Sequence, residues 1–396
     1  MRGAEVGGER SKAKDNVATS RWRAQRAAVC ALVGLVTLAA GGCAGKEGDE
    51  VGIAVALDPQ RAGMNSIYDG VQLAVEELNA RPRGRVGRRR FVMVRGSADV
   101  RDPVKIAAAF RENSMVVGVV GHPESGATLA AIDEYADLEH DGRNAVVAVS
   151  PTGTSPALSS RSKWLFRVCP TDVQSSRAVA QFLLDSLKAT RASVIYRNDA
   201  YGKDWTASFT TAYTEGYAGL RGTVVQRDPY LQNVTPWDAY AGYIKLLKPD
   251  VVLFPGSQED ALLALRAMRA VGVNLPFIGG DAVSALESNA AEFPNVRYTA
   301  FFLARTANTV EARAFLDAYT KRYHVAPDQR AALGYDAAML IGRGAVAVGA
   351  NRAAIRDYIE SIGRSRPAMA GAAGPIAFDE NHDAIDKPVV IARVGT

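Results

Sequence analysis

The chain has 396 residues, 48% of them hydrophobic, and a formal net charge of +5. That length exceeds what one small core organises and suits two units of ordinary domain size. The charge is concentrated at the front: residues 1–43 carry seven Lys/Arg against three Asp/Glu, and the remainder is balanced at 40 against 39. The body is therefore near neutral, and a nucleic-acid partner, which needs a concentrated basic face, has no electrostatic support.

Residues 1–26 are polar, with Arg21, Arg23 and Arg26 directly ahead of the apolar run Ala27–Ala40. A run of 14 residues falls short of the about 20 that span a bilayer. A basic segment, a short apolar core and then small residues make a secretory signal. Ala40-Gly41-Gly42 lead into Cys43. This end resembles a bacterial lipobox, with Ala40 where a larger aliphatic is usual. The resemblance implies a signal peptide over 1–43, lipidation of Cys43 and attachment to the membrane through that lipid. Residues 44–50 are then a polar tether. An ordinary signal peptide cleaved nearby is the alternative. Cys169 is alone in the body, so no internal disulfide is expected. His122, His140, His324 and His382 show no pair at ligand spacing, so neither a metal nor another cofactor is expected.

From Val51 the chain alternates strand and helix. Val51–Leu57 is a continuous apolar run, suited to a strand buried on both faces. Ile67, Val71, Ala74, Val75 and Leu78 recur at helical spacing. Arg90–Val94 reads as the next strand; in the basic cluster Arg81–Arg90, the residues Arg88, Arg89 and Arg90 read as a solvated turn, with a membrane- or partner-facing patch as the alternative. Asp102-Pro103 opens a helix, with Asp as N-cap and Pro at the first helical position. Met115–Val120 is a strand, and Ser125 caps a helix reaching about Ala136. Ala145–Val149 and Trp164–Val168 are extended. The pattern then repeats: helix Val173–Leu187, strand Ala192–Tyr196, helix Lys203–Glu215, strand Gly222–Arg227, helix Trp237–Leu247, strand Val251–Phe254, helix Asp260–Val271 and strand Pro276–Gly279. This rhythm predicts an α/β protein of two Rossmann-like lobes with parallel sheets. Ligands of such sheets bind outside the carboxyl ends of strands, which directs attention to the loops at 122–128, 150–154, 198–201, 255–257 and 280–281.

Gly70–Ala80 (GVQLAVEELNA), Val117–Thr128 (VGVVGHPESGAT), Val149–Leu158 (VSPTGTSPAL), Ala200-Tyr201-Gly202 and Gly374–Glu380 (GPIAFDE) lie in order across the body. Through them the chain resembles the type I periplasmic binding proteins of branched-chain amino-acid ABC importers, the leucine/isoleucine/valine-binding class. The resemblance implies two lobes joined by a three-stranded hinge, with crossings near Pro170, Arg305 and Pro375. Lobe 1 is then 50–169 plus 306–374, and lobe 2 is 170–305 plus 375–396, including a C-terminal hairpin. It also implies an amino acid held between the lobes. Ser125 and the hydroxyl of Thr154 match the carboxylate contacts, Thr152 offers its carbonyl, Asp281 holds the ammonium and Tyr201 borders the pocket. Partners implied are ABC permease subunits, with the protein a monomer outside the cytoplasm. A helix N-terminus at Ser125-Gly126-Ala127 is independently an anion site. Two features depart from the family: the first loop, 58–65, has no aromatic, and a pocket aromatic after Val251–Phe254 is replaced near Ser257.

An enzyme finds little support. Ser125 in Gly121-His122-Pro123-Glu124-Ser125-Gly126 lacks the spacing of a hydrolase nucleophile elbow. A ligand-sensing receptor module of the same fold stands as the alternative to import.

Overall fold

The computed structural model describes residues 48–58, 64–233, 235–294 and 296–395. The signal segment, Cys43 and residues 44–47 of the tether lie outside the described residues, as does most of the first loop (59–63). In chain order the first half contains β1 (Glu50–Ala56), α1 (Asn65–Ala80), β2 (Arg90–Arg95), α2 (Pro103–Glu112), β3 (Val116–Gly121), α3 (Ser125–Tyr135), β4 (Val147–Ser150) and β5 (Leu165–Arg167). Its strands form a parallel sheet in the order β2-β1-β3-β4-β5, with Val51 opposite Phe91 and Val120 opposite Val149.

Strand β1 shows why the sequence reads as an unbroken apolar run. Val51, Ile53 and Val55 enter one core, with α1 on that face. Ala54 and Ala56 enter another, with Ile106 and Phe110 of α2 and Tyr135 of α3. Alternate side chains point to opposite faces, and both faces are covered, so neither set tolerates a polar residue. Asp102 caps α2 as its sequence predicts, accepting from Val104 N at 2.9 Å.

The chain then passes through Pro170 and Thr171 into α4 (Asp172–Gln181). A capping box fixes this start: Gln174 N donates to Thr171 Oγ1 at 3.2 Å, and Thr171 N to Gln174 Oε1 at 2.7 Å. The helix continues as one wider π turn, Phe182–Ser186. There follow β6 (Arg191–Arg197), α5 (Ala200–Glu215), β7 (Thr223–Tyr230), α6 (Trp237–Leu247), β8 (Val251–Phe254), α7 (Gln258–Ala270), β9 (Phe277–Gly279), a 3₁₀ stretch (Asp281–Asn289) and β10 (Val296–Ala300). The rest of the chain supplies α8 (Val310–Tyr323), α9 (Gln329–Val348), α10 (Arg352–Glu360), β11 (Met369–Gly371), β12 (Gly374–Ile376) and β13 (Val390–Arg393). The second sheet runs β13-β10-β9-β8-β6-β7 and is parallel except for β13, whose Ile391 pairs antiparallel with Thr299. Residues 50–396 group as one unit.

Helix α9 belongs to the first sheet although more than 200 residues separate it from α1. It is long and apolar enough to cross a membrane, yet Leu333, Ala337, Leu340 and Ile341 are fully buried, so it is a core helix. Gly70 makes its close contact with α1 feasible: a Cβ there would lie 2.1 Å from Ala331 O. Phe301 and Phe302, directly after β10, already pack in the first core, as do Ile376 and Phe378. The hairpin β11–β12 also sits against that core, and only β13 joins the second sheet. Apolar side chains set these positions by entering whichever core lies within reach. A buried ion pair holds the last passage, with Lys387 Nζ 3.8 Å from Asp336 Oδ2.

Candidate functional site

Strand ends of both sheets face one cavity of about 770 Å³. On the first sheet, β3 leads into α3. Glu124, ahead of the helix, is extended and makes no side-chain cap. Ser125 is thus the first helical residue and not the cap its sequence implies. Its buried Oγ instead accepts from Ser155 N at 3.2 Å. The helix's own ladder begins with Thr128 N donating to Glu124 O at 3.0 Å. The N–H groups of Ser125, Gly126 and Ala127 come before it, and all three residues border the cavity. Their orphan donors and the helix dipole make that end of the cavity receptive to an anion.

The loop after β4 is stitched to this helix start. Ser150 Oγ donates to His122 O at 2.6 Å, Thr128 Oγ1 to the same oxygen at 3.0 Å, and Thr152 Oγ1 to Pro123 O at 2.8 Å. Thr152 borders the cavity, whereas Thr154 does not. The hydroxyl of Thr154 is buried next to Asp172, whose carboxyl is held well above the usual carboxylate range by burial, an effect the Thr154 hydroxyl opposes. Asp172 N donates to Thr154 O at 2.8 Å, so this residue is tied into the floor beneath the site.

On the second sheet, Asp281 follows β9 and opens the 3₁₀ stretch. Tyr201, at the start of α5, donates from Oη to Asp281 Oδ1 at 3.2 Å. Gly280 leaves room for this contact: a Cβ there would lie 1.9 Å from the Tyr201 hydroxyl and displace it. Gln329 fixes the backbone: its Nε2 donates to Asp281 O at 3.0 Å, and its Oε1 accepts from Phe301 N at 2.9 Å. Burial raises the Asp281 carboxyl to a pKa of about 6, opposed by the Arg330 charge and the Tyr201 hydrogen bond. A buried carboxylate of this kind gains from a ligand cation that replaces lost water.

Four of the five expected residues, Ser125, Thr152, Tyr201 and Asp281, therefore meet at one cavity. The sequence reading missed Arg330, which reaches it from the second residue of α9 and donates from Nη2 to Ala282 O at 3.3 Å. It also missed Gln258 and Glu259 at the start of α7. Ser257, where an aromatic was expected, is the N-cap of α7 and accepts from Asp260 N at 3.2 Å. Its capping signature, Ser257 three residues before Asp260, was legible. Among the described residues bordering the cavity, Met64 is the one large aliphatic side chain and Tyr201 the one aromatic. His122 does not border it. That ring is buried, 3.1 Å from Tyr135 Oη, and burial pushes its pKa down to about 4. Among the described residues, no group of three or more His, Cys, Asp or Glu is placed to hold a metal ion.

A family model described as periplasmic binding protein matches residues 59–396. Leu/Ile/Val-binding protein homolog 3 of Brucella melitensis is 27% identical over 261 residues, covering 64% of this chain and 67% of that protein. For other curated relatives the chain spans about 60% of their length. The crystal structure of the substrate-binding protein LivJ from Streptococcus pneumoniae, in complex with isoleucine, superposes with a TM-score of 0.75 at 23% identity, covering 87% of this chain and 96% of that one. A solute-binding protein of an ABC transporter from R. palustris, in complex with benzoate, gives a TM-score of 0.71 at 18% identity, covering 87% and 93%. Both share the fold: two α/β layers with parallel sheets.

Proposed function

The chain belongs to the periplasmic binding protein family, and from that premise we propose that it captures an amino acid or a related small solute and delivers it to an ABC importer. One observation carries the reading. An anion-receptive helix start on the first sheet and a buried carboxylate on the second border the same cavity. An α-amino acid presents a carboxylate and an ammonium about as far apart as a hinge-bending cleft can bridge. Its carboxylate rests on the N–H groups of Ser125, Gly126 and Ala127, and its ammonium on Asp281, whose own carboxylate is oriented by the Tyr201 hydroxyl. Thr152 contributes from the adjoining loop. Contacts from both sheets give the ligand a higher affinity for the closed form, which is what shifts the population toward it.

In this reading the protein works outside the cytoplasmic membrane as a monomer, held by a lipid on Cys43, and performs no catalysis. ABC permease subunits receive the ligand. A thermal-shift screen of amino acids and small organic acids tests the binding role, because a ligand of the folded state raises the melting temperature by mass action. If no member of the panel shifts it, the capture role is wrong. Cell fractionation tests the anchor: wild-type protein should sediment with membranes and carry a lipid at Cys43. A wild-type protein that is soluble and unlipidated at its N-terminus removes the anchor from the proposal without touching the binding site.

A further inference from the structure

Resting on the anchor reading above, we infer that the arginine loop between α1 and β2 docks on the anionic lipid surface of the membrane that holds the chain. Residues 81–90 read RPRGRVGRRR: six arginines, with no lysine and no acid among them. The fold holds this loop as a platform. Asn79 closes its base, Nδ2 donating to Phe91 O and Oδ1 accepting from Phe91 N, both at 2.8 Å. Gly84 and Val86 are buried, Val86 in the first core, and Val86 pairs with Arg89 across the tight turn at Gly87 and Arg88. Arg83 and Arg85 alternate with the two buried residues and are exposed, as is Arg88. Two arginines are engaged: Arg81 lies 3.7 Å from Glu77, and Arg90 Nε donates to Glu50 Oε1 at 3.0 Å. Among the described residues, the side chains of Arg83, Arg85, Arg88 and Arg89 have no hydrogen-bond or ion-pair partner. Like charges pinned side by side repel, and an anionic partner relieves them. The guanidinium fork suits the oxygens of a phosphodiester.

The place of the loop selects the partner. Strands β1 and β2 start beside it, with Glu50 and Arg90 opposite each other in register. Seven peptide steps join Cys43 to Glu50, a reach of about 25 Å at full extension, so a lipid on Cys43 keeps the loop close to the bilayer. The cavity borders Asp58, Pro123 and Thr152, at the carboxyl ends of the same sheet, so a docked loop leaves it open. Nearby acids do not neutralise the loop. Glu50 and Glu77 are taken by Arg90 and Arg81, which leaves Asp49 beside it. Glu112, Glu139 and Asp141 precede β3 and β4, two or three strands over from β2. That is about 10–14 Å at the usual strand spacing, beyond the Debye length of about 8 Å at physiological salt.

Co-sedimentation with vesicles tests this. The probe is the mature chain, residues 43–396, carrying Cys43→Ser and so no lipid. The vesicles are phosphatidylcholine with and without phosphatidylglycerol. The chain should bind only those with phosphatidylglycerol and leave them at about 1 M salt, where the Debye length is about 3 Å. Each arginine near an anionic surface is worth about a fivefold gain in partitioning. The triple variant Arg83→Ser/Arg85→Ser/Arg88→Ser should therefore bind about a hundredfold more weakly. It keeps both ion pairs and the buried Gly84 and Val86, and circular dichroism confirms its fold. No binding to either vesicle, equal binding to both, or a triple variant that binds as wild type does overturns the inference. So does a chain that ignores vesicles but binds soluble polyphosphate, which would assign the loop to an acidic polymer. Fractionation judges the anchor separately: native protein without a lipid on Cys43 ends that reading, while the vesicle assay still decides the loop.

Discussion

Replacing Asp281 with Asn should stabilise the empty protein while disabling its site. The carboxyl's pKa is about 6 in the folded state against 3.8 for the ordinary group. The native state therefore binds this proton more tightly than the unfolded chain does. Below pH 3.8 the group costs nothing; as pH rises through 6 the cost grows to its full value. A gap of roughly two pKa units amounts to about 3 kcal/mol at pH 7.5 and shrinks to about 1 kcal/mol at pH 4.5. Asparagine keeps the shape, still accepts from Tyr201 and carries no charge to desolvate. The variant should thus gain up to about 3 kcal/mol at pH 7.5, a few degrees in melting temperature for a chain of this size, and much less at pH 4.5. The same change should weaken an amino-acid ligand by roughly 2–5 kcal/mol, since an ammonium loses its buried partner. Urea unfolding followed by circular dichroism at both pH values, with calorimetry of the ligand, measures both arms. A variant less stable than wild type at pH 7.5 would show that burial does not penalise the carboxylate. Unchanged affinity for an amino acid would show that the ammonium sits elsewhere.

Lowering the pH should act on wild type as the substitution does. With a pKa of about 6, Asp281 is mostly ionised at pH 7.5 and about one-tenth ionised at pH 5, so amino-acid affinity should fall about tenfold between them; the Asn variant should show no such slope. Ser125→Ala removes a hydroxyl at the anion end and the acceptor for Ser155 N. It should cost about 1–3 kcal/mol in affinity, by calorimetry, for any carboxylate ligand, including one without an amino group. Arg352→Met tests the scaffold alone. That guanidinium donates to the carbonyls of Val116 and Arg111 at 2.8 Å and of Asn113 and Asn144 at 2.7 Å. Its loss should lower unfolding free energy by about 2–4 kcal/mol in urea titrations and leave ligand affinity of the folded protein unchanged.

The alternation of strands and helices was legible because each buried strand is an apolar run a few residues long, and the observed strand boundaries from β1 to β9 lie within three residues of those read from the sequence. Loops at strand ends were legible for the same reason, which is how Ser125, Thr152, Tyr201 and Asp281 came to attention. What a local pattern does not carry is the direction of a side chain within such a loop. Thr154 sits two residues from Thr152, yet the Asp172 N–H on its carbonyl turns it into the floor. Nor does a local pattern reveal Arg330, which reaches the cavity because α9 packs on α1. Helix α9 is apolar nearly all round, so its 3.6-residue stripe is weak and the stretch beyond Gly279 gave no clear reading. Nor does a local pattern say that Phe301, Phe302, Ile376 and Phe378 enter the first core, because such residues look alike in sequence whichever core they enter.

The pairing of α1 with α9 also governs when this protein can close. Val51, Ile53 and Val55 find their cover in a helix that begins at Gln329, and the outer edge of β10 waits for a strand at Val390. Helix α1 covers part of that face early, but the first sheet has its strands long before α9 completes the cover. Contacts this distant in sequence are slow to form, because the loop between them must be closed before they repay its entropy. Closing the first core therefore brings together segments from the two ends of the chain, a topology of high contact order that favours slow folding.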